Sequence, residues 1–448
     1  MSENLVQHYL DCHADLLDTR AVLTERGAVE NCYSLLEETL DSGPWLVASD
    51  DRTREVAGAR LTDLFDRVDQ PWEPFRIDEH ARHAPPICTD RLVDACTEAM
   101  REDDCAAGVA VGSGTINDTV KMAADRLDLP MAVVGTAPSM NGYTSGVAAI
   151  LSDGVKTSNS CTAPRAVVAD LDVLAEAPAR MIASGLGDLL SKPVSNADWA
   201  ISAHLNDTPH SADAVEIIEA GAEALEGVAD RLPDRRREAI RGLVESLLLS
   251  GIAMSVAGSS SPASGGEHLI SHYIDMTAHA FGEPHDFHGC QVGVGTLVSA
   301  FLYERLRQFD PSAVDIERRV AALPSWSDYD QLLRERFDSL YAPVLNFAEP
   351  GYPSGETLRE RLRQLVADWD EIREVAGENL RSHESIERDL AAAGGPTRFE
   401  QLGIGRDRAL RSVLHSKDIR NRYTILHLCW ELGVLEEWGR DAVDRFYD

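Results

Sequence analysis

Along the first 180 or so residues, short apolar runs alternate with stretches whose apolar positions recur every three or four residues. PWLVAS (44–49), AGVAVG (107–112), MAVVGT (131–136) and RAVVAD (165–170) have the length and apolar character of strands. Between them, TREVAGARLTDLFDRV and TDRLVDACTEAMRED carry helical spacing, and residues 71–90, with their prolines and histidines, read as a connection. Such alternation predicts a doubly wound α/β domain. After about residue 178 the strand pattern stops. From Ala179 onward PDRRREAIRGLVESLLLSGIAMSVAG, EHLISHYIDMTAHAF and DRALRSVLHSKDIRNRYTILHLCWELGVLEEW are spaced as helices. We therefore expect an α/β domain over residues 1–178, an all-helical domain over 179–448, and a small-molecule site in the cleft between them. The segment from Leu323 to about Gly355, with Pro343, Pro350 and several aromatics, reads as an irregular connection within the helical part.

Composition narrows the function classes. The chain has 448 residues, 44% of them hydrophobic, which suits a globular protein with a sizeable core. No run looks like the roughly 20 apolar residues of a membrane span, and the polar N-terminus lacks signal-peptide order, so a cytoplasmic protein is expected. A net charge of −33 argues against nucleic-acid and anionic-membrane partners, which are held through excess Lys and Arg. The eight cysteines form no CxxC pair and read as reduced packing residues, Cys290 included. Lysine occurs only at Lys121, Lys156, Lys192 and Lys417.

Two loops carry candidate cofactor chemistry. In AGVAVGSGTINDTVK (107–121) a strand runs into Gly112-Ser113-Gly114 and then a helix, where backbone N–H groups and the helix dipole favour a phosphate. This is not GxGxxG, and alone it is equally an ordinary strand-to-helix turn. The next strand ends in GTAPSMNGYTSG (135–146), a second polar loop at the same carboxyl edge, where ligands of open α/β sheets bind. A third strand leads into Asp50 and Asp51, either of which is placed to hold a ribose hydroxyl or to be a solvated turn acid.

The histidines point to a metal. Five of fourteen fall within 21 residues, at His268, His272, His279, His285 and His288. Imidazole is a common ligand of divalent transition metals, and a catalytic ion usually keeps three protein ligands and one open position. Asp188, in SGLGDLLSKPVSNADW where strands give way to helices, can complete a set with two of them. His268 and His272 share one helix face, and the small residues after His288 suit a helix crossing that one closely. Spacing alone leaves His268, His272 and His288 equal candidates, with His279 and His285 weaker.

In order and spacing, GSGTINDTVK, TAPSMNGYTS, GLGDLLSKPVSNADW, SGGEHLISHYIDM and HGCQVGVGTL resemble the bacterial sn-glycerol-1-phosphate dehydrogenases. These belong to the dehydroquinate synthase-like and iron-containing alcohol dehydrogenase superfamily. The similarity runs from about residue 40 to the end. It implies a Rossmann-like N-terminal domain, an all-helical C-terminal domain, and one divalent ion, zinc or nickel, on Asp188, His268 and His288. His272 would then contact substrate and serve, with Asp188, as a catalytic residue. NAD or NADP would lie over Gly112, Ser113, Gly114, Thr115 and Ile116, with Thr136, Ser139 and Ser145 from the second loop and Asp50 at the adenosine ribose, an acid that favours NAD. The implied reaction reduces dihydroxyacetone phosphate reversibly to sn-glycerol 1-phosphate in a homodimer, with Lys121 and Lys192 as candidates for the substrate phosphate. His272 is a candidate proton relay because an ordinary imidazole titrates near neutrality.

Asn141 departs from the pattern, which usually has aspartate there, at a position that would contact substrate. A dehydrogenase of another polyol or polyol phosphate, a dehydroquinate synthase-like sugar-phosphate cyclase, and a catalytically silent metal-binding protein are the competing readings. The cyclases normally use glutamate as third ligand, where this chain has Asp188.

Overall fold

The computed structural model describes residues 5–77, 87–152, 154–377 and 380–448. Six strands form one parallel sheet in the order β1-β8-β5-β4-β2-β3. In chain order they are β1 (Ala21–Glu25), β2 (Trp45–Ser49), β3 (Trp72–Arg76), β4 (Ala107–Gly112) and β5 (Met131–Gly135); β6 (Val147–Ser152) and β7 (Val155–Ser160) pair antiparallel as a separate ribbon, and β8 (Ala166–Asp170) returns to the sheet. The four central strands are buried along their whole length, which is why they read as unbroken apolar runs. The edge strands are half-exposed and mixed in composition. β3, WEPFR, lies inside the stretch predicted as a connection from 71 to 90; an edge position tolerates its Pro74. Residues 78–86 of that stretch lie outside the described residues.

Register places the loops. Gly112 at the end of β4 pairs with Gly135 at the end of β5, so the two polar loops leave the sheet at the same level. β2 flanks β4 on the other side, bringing Asp50 to the same edge.

Beyond Asp170 every regular element among the described residues is helical. Two expectations need correction here. Leu323 to Gly355 is mostly helix, Trp326–Phe337 and Tyr341–Gly351, rather than an irregular connection. Its prolines do not interrupt: Pro343 sits in the first turn, where no helical N–H is missed, and Pro350 is the last residue but one. Tyr329, Leu333, Phe337, Leu340, Val344 and Ala348 give it a buried face. The helix Arg237–Ala257 is also long and apolar enough to cross a membrane by length and composition, although no such run was expected. It is a core helix instead, with 72% of its apolar window buried and the N-terminal helix Leu5–Cys12 packed against it.

The helices Ala179–Leu190 and His288–Gln308 cross with their backbones in contact. A Cβ at Gly187 would run into the carbonyl of Gly289, and one at Gly289 into the carbonyl of Ser184, while Gly289 N–H donates to Ser184 Oγ at 3.1 Å. This interlock sets Asp188 beside His288. A methyl at either glycine forces the helices apart, so Gly187→Ala and Gly289→Ala should each lose about 1–3 kcal/mol or more, read as a lower urea midpoint. Gly58→Ala, whose methyl meets only ordinary contacts at 3.6 Å, should stay near wild type.

Candidate active site

Three side chains converge beside the second loop. Ligand atoms of Asp188, His268 and His288 all lie within 4.8 Å of one another. Asp188 is carried inside the helix Ala179–Leu190, fully buried, with its glycines also helical. His268 belongs to the first turn of the helix Gly266–Phe281, and His288 opens the helix that crosses Asp188's. His268 Nε2 stands 3.6 Å from Asp188 Oδ1, while its Nδ1 is held at 2.8 Å by Glu267 Oε1. His288 Nδ1 lies 3.1 Å from Ser271 Oγ. Each ring is thus oriented through one nitrogen and offers the other to the cleft, the arrangement of supported metal ligands. One carboxylate and two imidazoles suit a divalent transition ion such as zinc or nickel.

Charge in the cleft is tightly arranged. Burial works to raise the Asp188 carboxyl, but Lys192, His268 and His288 prevail and hold it well below the usual carboxylate range. Lys192 Nζ donates to Asp188 Oδ1 at 2.6 Å, an i, i+4 contact. His288 is pushed down to about 3 by desolvation, then by the charges of Lys156 and His268, so the ring is neutral and fit to bind metal.

His272 stands apart from the three-residue group. Its ring stacks against His288 at 5.6 Å and is 6.0 Å from His268, and its buried Nδ1 has no hydrogen-bond partner among the described residues. Burial, then Arg420 and Lys156, hold this imidazole well below its usual titration range. The near-neutral titration that made it a proton relay is therefore absent. Of the two weaker histidines, His279 is exposed and His285 stands 3.8 Å from Asp275. Cys290 is a packing residue whose thiol burial pushes up to about 12.

The cofactor candidates gather at the carboxyl edge. Ser113 precedes the helix Gly114–Asp125, and its hydroxyl lies 2.5 Å from that of Ser139, tying the two loops together. Thr136 N–H donates to Gly112 O at 3.1 Å. Thr115 stands in the first turn of that helix, whereas Ile116 packs its side chain into the core, leaving only its backbone for a ligand. Ser145 is turned back on its own loop, 3.1 Å from Val147 O. Asp50 caps the turn after β2, accepting from Thr53 N–H at 2.7 Å through Oδ1. The second loop also reaches the Asp188 group: Ser139 O accepts from Ser184 Oγ at 3.1 Å, and Asn141 N–H donates to Asp188 Oδ2 at 3.2 Å, with the Asn141 amide donating to Ser250 Oγ at 3.1 Å.

The two lysines expected to meet a substrate phosphate are engaged within the protein. Lys121 Nζ is fully buried and donates to Gly142 O at 2.9 Å and Val147 O at 3.1 Å, pinning the second loop. Lys192 adds the Ala263 carbonyl at 3.0 Å to its bond with Asp188. Sequence reasoning passed over Lys156, which pairs with Asp275 at 2.6 Å, and Glu267, the acid adjoining His268. The spacing of His268, His272 and Asp275 on one helix face was the available signal for Asp275.

Residues 23–178 match the model of the iron-containing alcohol dehydrogenase family. A glycerol-1-phosphate dehydrogenase (NAD(P)+) of Bacillus subtilis (strain 168) is 36% identical over 397 residues, which is 88% of this chain and 87% of that protein. This chain belongs to the glycerol-1-phosphate dehydrogenase family. A relative of the same name from Methanosarcina barkeri (strain Fusaro) shares 32% identity over 63% of this chain and 76% of its own length. Among solved structures, a probable glycerol dehydrogenase from Sinorhizobium meliloti 1021 has the same fold, with a TM-score of 0.61 at 18% identity over 94% of this chain and 98% of that one.

Within this dehydrogenase fold, the division of labour among the histidines is open to measurement. His268→Ala and His288→Ala should purify without stoichiometric metal by elemental analysis, while His272→Ala retains it. Equal loss in all three would put His272 among the ligands.

Proposed function

We propose that the protein is a metal-dependent, NAD(P)-linked oxidoreductase that interconverts dihydroxyacetone phosphate and sn-glycerol 1-phosphate. The observation that carries this reading is the loop over residues 136–145, which is bonded to the glycine loop through Ser139 and Ser113 and to Asp188 through the Asn141 N–H. Ser139 and Asn141 thus tie the glycine loop and the Asp188 group to one short segment, which supports a cofactor and a metal acting side by side. The relatives' shared name supplies the substrate class.

In this reading Asp188, His268 and His288 hold one divalent ion, zinc or nickel. Bound there, it supplies Lewis-acid polarisation of a carbonyl. Lys192 keeps Asp188 ionised and in place. His272, whose buried Nδ1 is unpartnered, offers a hydrogen bond to a substrate hydroxyl. The backbone N–H groups opening the helix Gly114–Asp125 meet the cofactor pyrophosphate, and the apolar core behind Ile116 keeps water from that face. Asp50 has one carboxylate oxygen committed to Thr53, and the other, without a hydrogen bond among the described residues, can meet a ribose hydroxyl, which favours NAD over a 2′-phosphorylated cofactor by charge repulsion.

Metal-loaded protein mixed with NADH and dihydroxyacetone phosphate should oxidise the nicotinamide, followed by absorbance, and NADPH should serve less well. Turnover of glycerol or another unphosphorylated polyol, with none on the phosphorylated triose, would overturn the assignment. Asp50→Ser keeps the cap on Thr53 but removes the charge, and should narrow the gap between NADH and NADPH in KM.

A further inference from the structure

With Lys121 and Lys192 engaged elsewhere, the phosphate of the substrate needs another seat. A cavity of about 420 Å³ is lined in part by segments that adjoin, in sequence, the helices of Asp188 and His268. One wall is Ser261 and Ser264, on the segment entering the His268 helix; another is Ser195 and Asp198, on the helix following Asp188; a third is Arg420 and Arg422. The acids in this cavity are engaged. Asp198 accepts from Gly266 N–H at 2.7 Å, Ile425 N–H at 2.6 Å and Tyr303 Oη–H at 2.6 Å. Asp418 is paired with Lys417 at 2.5 Å, and Glu431 with Arg361.

The two arginines are not balanced in the same way. Arg422 donates to Ser264 O and, at 2.9 Å, to Ser260 Oγ, with Glu267 and Asp198 as nearby opposite charges. Arg420 donates to the Lys156 carbonyl at 2.7 Å, and among the described residues no carboxylate lies within ion-pair distance of it. The charge that acts on it is Arg422, a like charge; burial and that neighbour push its guanidinium down to about 10. Arg420 is partly buried, and in a chain of net charge −33 a guanidinium left without an acid stands out. Lys156, whose carbonyl Arg420 holds, pairs through its ammonium with Asp275 on the helix of His268 and His272, which puts Arg420 on that helix's side of the cavity.

We propose that Arg420, supported by Arg422, seats the phosphate of the substrate in this cavity while the carbonyl end reaches the Asp188, His268 and His288 group. A guanidinium matches phosphate oxygens in planar, two-pronged geometry, and an arginine left unpaired in the absence of phosphate discriminates against unphosphorylated analogues. This assignment rests on the dehydrogenase reading above for its substrate, but the anion seat is separately measurable.

Two measurements on metal-loaded Arg420→Gln and Arg420→Lys decide it, with bound metal and NADH affinity confirming an intact fold. Arg420→Gln should lower kcat/KM for dihydroxyacetone phosphate roughly 30-fold or more, chiefly through KM, with a smaller loss in Arg420→Lys. Calorimetric titration with inorganic phosphate should show binding to wild type that Arg420→Gln lacks. If Arg420→Gln does not fold, the same comparisons are made with Arg420→Lys, which must then raise KM and weaken phosphate. Wild-type KM and wild-type phosphate affinity in the variant would overturn the seat and leave the dehydrogenase reading standing. Failure of wild type to reduce the triose would overturn that reading, and the phosphate titration alone would then decide the seat: binding lost in the variant keeps it, and binding absent from wild type or unchanged in the variant removes it.

Discussion

The site depends on two helices crossing with nothing between their backbones. Gly187 and Gly289 let the helices Ala179–Leu190 and His288–Gln308 touch main chain to main chain, and the residues next to them in sequence, Asp188 and His288, are thereby brought together. Dispersion and packing hold such a contact only at full closeness, because a gap of a fraction of an ångström already forfeits much of the attraction. The third donor arrives by the same device, since a Cβ at Gly295 on the second helix would meet the backbone of Glu267, next to His268. Three donors from three helices are therefore fixed by side chains that are missing.

Around that frame the few lysines of a strongly acidic chain are used as internal fasteners. Lys121 holds the second loop, Lys192 holds Asp188, Lys156 joins the β6–β7 ribbon to the His268 helix through Asp275, and Lys417 is buried against Asp418 and Trp430. An ammonium group with three donors suits such a knot of carbonyls and carboxylates. The work of meeting a ligand anion then falls to arginine, whose charge survives burial better.

Much of this was legible in the chain because burial leaves a compositional trace. β2, β4, β5 and β8 are covered on both faces and read as apolar runs, and the helices at 237–257 and 266–281 show their period. β1, β3 and β7 escaped because AVLTE, WEPFR and VKTSNS are half-exposed, so their composition does not differ from that of a loop, whereas β6, VAAILS, is apolar and half buried and was passed over beside the polar loop before it. Leu323 to Gly355 misled for a related reason: prolines at the start and end of a helix look, in sequence, like breaks within one. Motif resemblance named Asp188, His268 and His288, and the structure brings those three together. The bond from Lys192 to Asp188 has an i, i+4 spacing that the sequence displays, but the carbonyls that hold Lys121 and Lys192 lie 21 to 71 residues away, and carbonyls leave no mark in a sequence.

The contact between residue 141 and Asp188 is made by a backbone N–H. Main-chain groups are the same whatever side chain follows, so the asparagine that replaces the aspartate of the family's usual pattern leaves this link to Asp188 untouched. Position 141 is in that sense insulated: a change of its side chain gives up the amide's bond to Ser250 but not the bond to Asp188. Drift in what such an enzyme accepts can then run ahead of any change in how it is assembled.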